Sequence, residues 1–223
     1  DSPGYPTTWG TSELRKAILG YLERRWGASG LNEHQVLPVI GTKELVAWLP
    51  TLMGLGAGET VVIPSTAYPT YDVGGRIARS RVVACDDPAA LAGLRPQLVW
   101  INSPANPHGA ILSVPQLREW VAAAREVGAL LASDECYGEF AWEAEAASVL
   151  HPEVNGGSVA GLLAVHSLSK RSNAAGYRAG FVAGDAAVVA ELLEVRKHAG
   201  LMVPGPVQAA MAAGLPFAEP LDR

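Results

Sequence analysis

The chain alternates between two periodicities. Seven short runs of β-branched and apolar residues, at 36–40, 60–64, 81–85, 97–102, 129–133, 162–166 and 179–183, are separated by longer stretches with helical spacing of apolar positions. Those helical stretches lie near 11–26, 43–55, 69–79, 113–127, 185–199 and 205–213. Most of the strand runs are apolar on both faces, as strands buried between two helical layers and paired mainly in parallel are. The alternation predicts an α/β fold, a mostly parallel sheet flanked by helices. One helix start is sharply marked: Ser113 is followed three residues on by Gln116, with Pro115 in the first turn.

Ligands of such sheets sit beyond the carboxyl ends of the strands, so the residues just after each run are informative. Those residues are GTKE (41–44), STAYPTY (65–71), SPANPHG (103–109), DECY (134–137) and SLSKRS (167–172). Solvation alone does not require so many chemically capable residues at one edge. Taken singly, each is weak: GTKE is an ordinary helix start, and Asp134 is a plausible cap or turn. Other signals fail. Gly56 and Gly58 end a helix and precede a strand, the reverse of a dinucleotide fingerprint. The five histidines have no metal-ligand spacing.

Bulk properties narrow the classes. At 223 residues, 49% hydrophobic and 17% charged, the chain is that of a globular protein. A net charge of -5 argues against a nucleic-acid binder, and no apolar run reaches membrane-spanning length. Cys85 and Cys136, far apart, are expected to be free buried thiols in a reducing, cytoplasmic setting. The ends, DSPGYP and GLPFAEPLDR, read as those of a piece of a longer protein.

Lys170 is the residue of most interest. It comes after a buried strand and sits between Ser167, Ser169 and Arg178, which are phosphate-type ligands. Desolvation and neighbouring cations favour the neutral amine that attacks carbonyls. A cofactor with an aldehyde, a phosphate and a ring nitrogen would use Lys, Ser/Arg and Asp together, and pyridoxal 5′-phosphate has all three.

The order N-x-P-x-N-P-x-G, D-E-x-Y and S-L-S-K-x-x-x-x-x-G-Y-R-x-G resembles fold-type I pyridoxal-phosphate-dependent aminotransferases of class I/II, over essentially the whole chain. The resemblance implies that Lys170 carries the cofactor as a Schiff base and later shuttles a proton. It implies that Asp134 pairs with the ring nitrogen, that Asn106 and Tyr137 bond the 3′-oxygen, and that Tyr68 stacks on the ring. The phosphate would lie among Ser167, Ser169, Arg178 and the Gly41–Thr42–Lys43 turn. Tyr5 would reach the phosphate of a neighbouring subunit, which implies a homodimer with shared sites. His108 departs from the family pattern, which usually has Thr there. Residues 1–223 would form the cofactor-binding large domain, with the N-terminal substrate segment, the small domain and its carboxylate-gripping arginine outside them; the chain by itself is then expected to bind cofactor weakly.

More finely, VLPVIGTKELVAWLPTLMGLG, AYPTYDVG and VRKHAGLMVPGPVQAA look like the succinyldiaminopimelate transaminases of actinobacterial lysine biosynthesis. Those act on a small-molecule amino acid and a 2-oxo acid. An aspartate-type aminotransferase, a pyridoxal-phosphate lyase, a regulator's effector domain and an inactive truncated product remain the alternatives.

Overall fold

The structure is a computed structural model that describes residues 4–142 and 144–217. The outermost residues of the two terminal segments, DSPGYP and GLPFAEPLDR, lie outside the described residues. Seven strands form one sheet: β1 (Val36–Val39), β2 (Thr60–Ile63), β3 (Arg81–Ala84), β4 (Leu98–Asn102), β5 (Leu130–Asp134), β6 (Leu162–Ser167) and β7 (Gly180–Gly184), in the order β1-β7-β6-β5-β4-β2-β3. Each coincides with a run predicted from the sequence. The pairs from β3 across to β6 are parallel, whereas β7 runs antiparallel to both β6 and β1. The β6–β7 connection, residues 168–179, turns the chain back so that β7 lies antiparallel beside β6.

Helices cover both faces. They are α1 (Ser12–Trp26), α2 (Thr42–Leu52), α3 (Thr70–Ile77), α4 (Leu91–Leu94), α5 (Val114–Val127), α6 (Pro152–Asn155), α7 (Leu168–Arg171), α8 (Ala186–His198) and α9 (Gly205–Gly214). Alternate strand residues feed two cores. Val99, Ile101 and Leu131 pack with Leu14, Leu117 and Met211 on one face, while Leu98, Trp100 and Leu130 pack with Leu45, Tyr71 and Leu192 on the other. The edge strand β3 is the exception, being half-exposed rather than buried on both faces.

The helix boundaries reflect local chemistry. Thr11 caps α1 by accepting from Leu14 N, and Asp185 caps α8 by accepting from Ala187 N. Ser113 and Gln116 form the reciprocal capping box expected of α5. The α2–α3 contact is unusually close. A Cβ at Gly74 would stand 2.8 Å from Val46 O and 2.9 Å from Ala47 O, so only glycine lets the two backbones approach this far. Both cysteines are free and, as whole residues, half-buried, although the Cys136 thiol itself is desolvated. Among the described residues no helix is long and apolar enough to cross a membrane.

Candidate active site

Sheet register builds the floor. Asn102 and Asp134 end neighbouring parallel strands as direct partners, and Ser167 ends β6 opposite Gly180 of β7. A cavity of about 540 Å³ opens over these strand ends. Thr42, Lys43, Tyr68, Asn106, Asp134, Tyr137, Ser167, Ser169, Lys170 and Arg178 all line it. Ten residues predicted from five separated segments are thus brought to one place.

Asp134 is buried at the cavity floor. Its Oδ2 accepts from the Tyr71 hydroxyl at 2.8 Å and its Oδ1 from Cys136 N at 3.1 Å. Burial raises its pKa, because the charged form is desolvated; hydrogen bonds from Cys136 and Tyr71 offset this only in part. The same burial, with the Asp134 charge beside it, pushes the Tyr71 hydroxyl and the Cys136 thiol well up. Tyr71 stacks on Trp100, ring centroids 5.1 Å apart, and meets Tyr68 edge-on at 5.9 Å. The carboxylate is therefore held by neutral donors on a rigid aromatic support.

The lysine arrives on a four-residue helix. Ser167 Oγ caps α7 by accepting from Ser169 N at 3.1 Å, and Lys170 Nζ projects over the Tyr137 ring, 5.8 Å from its centroid. Burial raises the Tyr137 hydroxyl pKa as well. On the facing side, Gly41 opens α2 with φ +70° and no side-chain cap, leaving the first-turn N–H groups unclaimed by a capping side chain. The Arg178 guanidinium occupies the space a side chain at 41 would take: a Cβ there would lie 2.9 Å from Arg178 Cζ. Free helical N–H groups beside a guanidinium and two serines form an anion cradle.

The backbone at Asn106 is held by Asn102, the first residue of the N-x-P-x-N-P-x-G motif, to which the sequence assigned no role. Asn102 Oδ1 accepts from Asn106 N at 2.7 Å, and Asn102 Nδ2 donates to Asp134 O at 2.8 Å. Asn102, Tyr71, Val46, Cys136 and Ala175 complete the wall and were not predicted. Tyr5 is not among the lining residues; it stands 95% exposed.

The donor set fits pyridoxal phosphate. A desolvated carboxylate supported only by neutral hydrogen-bond donors suits a protonated ring nitrogen, and the cradle suits a phosphate. Lys170 stands in the same cavity for the aldehyde.

A parallel-rich α/β sheet with a lysine, a buried carboxylate and an anion cradle at its carboxyl edge defines a class of cofactor-dependent group-transfer folds. The model of the family "Aminotransferase class I and II" matches residues 2–220, and the chain belongs to that family, whose members use pyridoxal phosphate. It is 59% identical over 214 residues to a probable aminotransferase of Mycobacterium tuberculosis, covering 96% of this chain and 51% of that one. It is 55% identical to the 4-dedimethylamino-4-oxo-anhydrotetracycline transaminase OxyQ of Streptomyces rimosus, covering 96% and 60%. Among solved structures, the N-succinyldiaminopimelate aminotransferase of Mycobacterium tuberculosis superposes with a TM-score of 0.84 at 25% identity, over 96% of this chain and 58% of that one. The chain spans a little over half the length of these relatives.

Proposed function

We propose that the chain provides the cofactor-binding half of a pyridoxal-phosphate-dependent aminotransferase that moves an amino group between an amino acid and a 2-oxo acid. One observation carries the reading: Lys170 shares a cavity with a buried Asp134 and with an anion cradle built from Ser167, Ser169, Arg178 and the Gly41–Lys43 turn. Bound pyridoxal phosphate supplies an electron-withdrawing ring that weakens a bond at the amino acid's Cα.

The residues divide the remaining work. Asp134 would hold a proton at the ring nitrogen, with Tyr71 and Cys136 N–H keeping the carboxylate still. Asn106, Tyr137 and Tyr68 would hold the ring. Lys170 would anchor the cofactor and would carry the proton at substrate Cα. Tyr5, exposed and outside the lining of its own cavity, would suit a homodimer in which it reaches a neighbouring copy's phosphate.

For the substrate we propose N-succinyl-LL-2,6-diaminopimelate with 2-oxoglutarate, in lysine biosynthesis. The VLPVIGTKELVAWLPTLMGLG, AYPTYDVG and VRKHAGLMVPGPVQAA stretches and the likeness to the N-succinyldiaminopimelate aminotransferase support this. A second reading rests on the 55% identity to the tetracycline-pathway enzyme, which favours a polycyclic ketone as amino acceptor.

Borohydride reduction of the full-length protein with pyridoxal phosphate, then peptide mapping, should place the label on Lys170. A label on Lys43 or Lys197 overturns the assignment. A glutamate-loaded enzyme offered both acceptor classes then decides between the substrates.

A further inference from the structure

We infer that Arg196, which does not line the cavity, is a positioning residue for the phosphate cradle, acting through Glu44. This rests on the reading of the cavity as a pyridoxal-phosphate site. Glu44 lies in the first turn of α2, two residues beyond Thr42, and so adds a negative charge to the turn that borders the cavity, without lining the cavity itself. Left alone, that charge would repel a phosphate and oppose the attraction of the helix N-terminus.

The fold cancels it. Arg196 of α8 is fully buried, and its Nη1 and Nη2 donate to Glu44 Oε1 and Oε2 at 2.8 and 2.9 Å. This is the bidentate fork geometry, which fixes direction as well as charge. Held so, Glu44 Oε2 also accepts from Ile40 N at 3.3 Å, closing the 40–44 turn from within. Arg196 further donates to Leu201 O at 3.5 Å, in the segment between α8 and α9. One guanidinium therefore neutralises the acid at the cradle, pins the turn that bears Gly41, Thr42 and Lys43, and ties both to the far helices. It is committed to this network, which removes it as a gripper of substrate carboxylate.

The test compares pyridoxal 5′-phosphate with pyridoxal, which lacks the phosphate. Both are titrated spectroscopically into the cofactor-free full-length protein. Wild-type protein should bind the phosphorylated form far more tightly. R196M should lower affinity for pyridoxal 5′-phosphate about tenfold or more, one decade or beyond in Kd, while pyridoxal changes by less than about threefold. The double variant E44Q/R196M, which removes both charges, should recover most of the discrimination.

A role confined to packing would weaken both ligands alike, or leave the double variant no better than R196M; either result overturns the inference. Should R196M fail to fold, E44Q alone decides. Removing the anion and sparing the cation must leave pyridoxal 5′-phosphate bound at least as tightly as in wild type, and a loss overturns the inference. Equal binding of the two ligands by wild type would instead remove the phosphate cradle itself, and with it the cofactor reading.

Discussion

Replacing Gly74 with alanine should loosen the frame on which the cavity is built. The added Cβ would stand 2.8 and 2.9 Å from the carbonyl oxygens of Val46 and Ala47. Those are backbone atoms of α2, so no flexible side-chain end can swing aside. Either α3 retreats or α2 bends. Overpacking of this kind costs about 1–3 kcal/mol. Alanine returns about 1 kcal/mol of helix propensity, leaving a net loss of up to about 2 kcal/mol. At roughly 2–4 °C per kcal/mol for a chain of this size, the thermal midpoint should fall by up to about 8 °C. Gly93, inside α4, meets nothing within 4 Å, so Gly93→Ala is the matched control and should be neutral or stabilising. Calorimetry on the full-length protein reads both. Because α2 opens at the cradle and α3 begins just after Tyr68, Gly74→Ala should also weaken pyridoxal phosphate binding, whereas Gly93→Ala should not. Identical midpoints for the two variants would refute the close-approach argument.

The buried acid leads to two further outcomes. Asp134 has a pKa above its ordinary value of 3.8 through burial, so the folded, cofactor-free protein holds this proton to higher pH than the unfolded chain. Its contribution to stability is greatest at acid pH and declines as pH rises from that value through the folded one. Asp134→Asn should flatten this part of the midpoint-versus-pH curve while weakening cofactor binding; an unchanged slope refutes it. Burial and the Asp134 charge likewise keep the Cys136 thiol protonated. Iodoacetamide at neutral pH should therefore modify Cys85 before Cys136, and mass spectrometry showing the reverse order would contradict that account.

Much of the frame is legible in the sequence because it rests on local signals. Apolar runs announced all seven strands, helical spacing announced the long helices, and Ser113 with Gln116 marked the start of α5. The helices α4, α6 and α7 escaped notice because four residues cannot display a helical period. The antiparallel return of β7 also escaped, since apolar content does not encode direction. At the site, residues with distinctive chemistry at strand ends were legible. Their supports were not. Tyr71 stands three residues from Tyr68 in the same AYPTY stretch, and nothing local tells which ring faces water and which is buried against Asp134. Asn102 opens the N-x-P-x-N-P-x-G motif, but its role shows only in its bonds to Asn106 N and Asp134 O. Glu44 and Arg196 meet only because sheet order brings α2 and α8 together.

The strand order bears on how the polypeptide emerges from the ribosome. β1 has one neighbour, β7, and pairs Val36 with Ala183, so an early-made strand must wait for most of the chain before its hydrogen bonds are met. Until then VLPV is an unpaired apolar edge, the kind of segment that recruits wrong partners. The β6–β7 hairpin carrying Lys170 can close locally and soon after synthesis, whereas the Gly41 turn joins it only when β1 docks. Completion of the cradle thus reports that the first and last strands have met, and a nascent chain stalled before residue 180 should hold no cofactor.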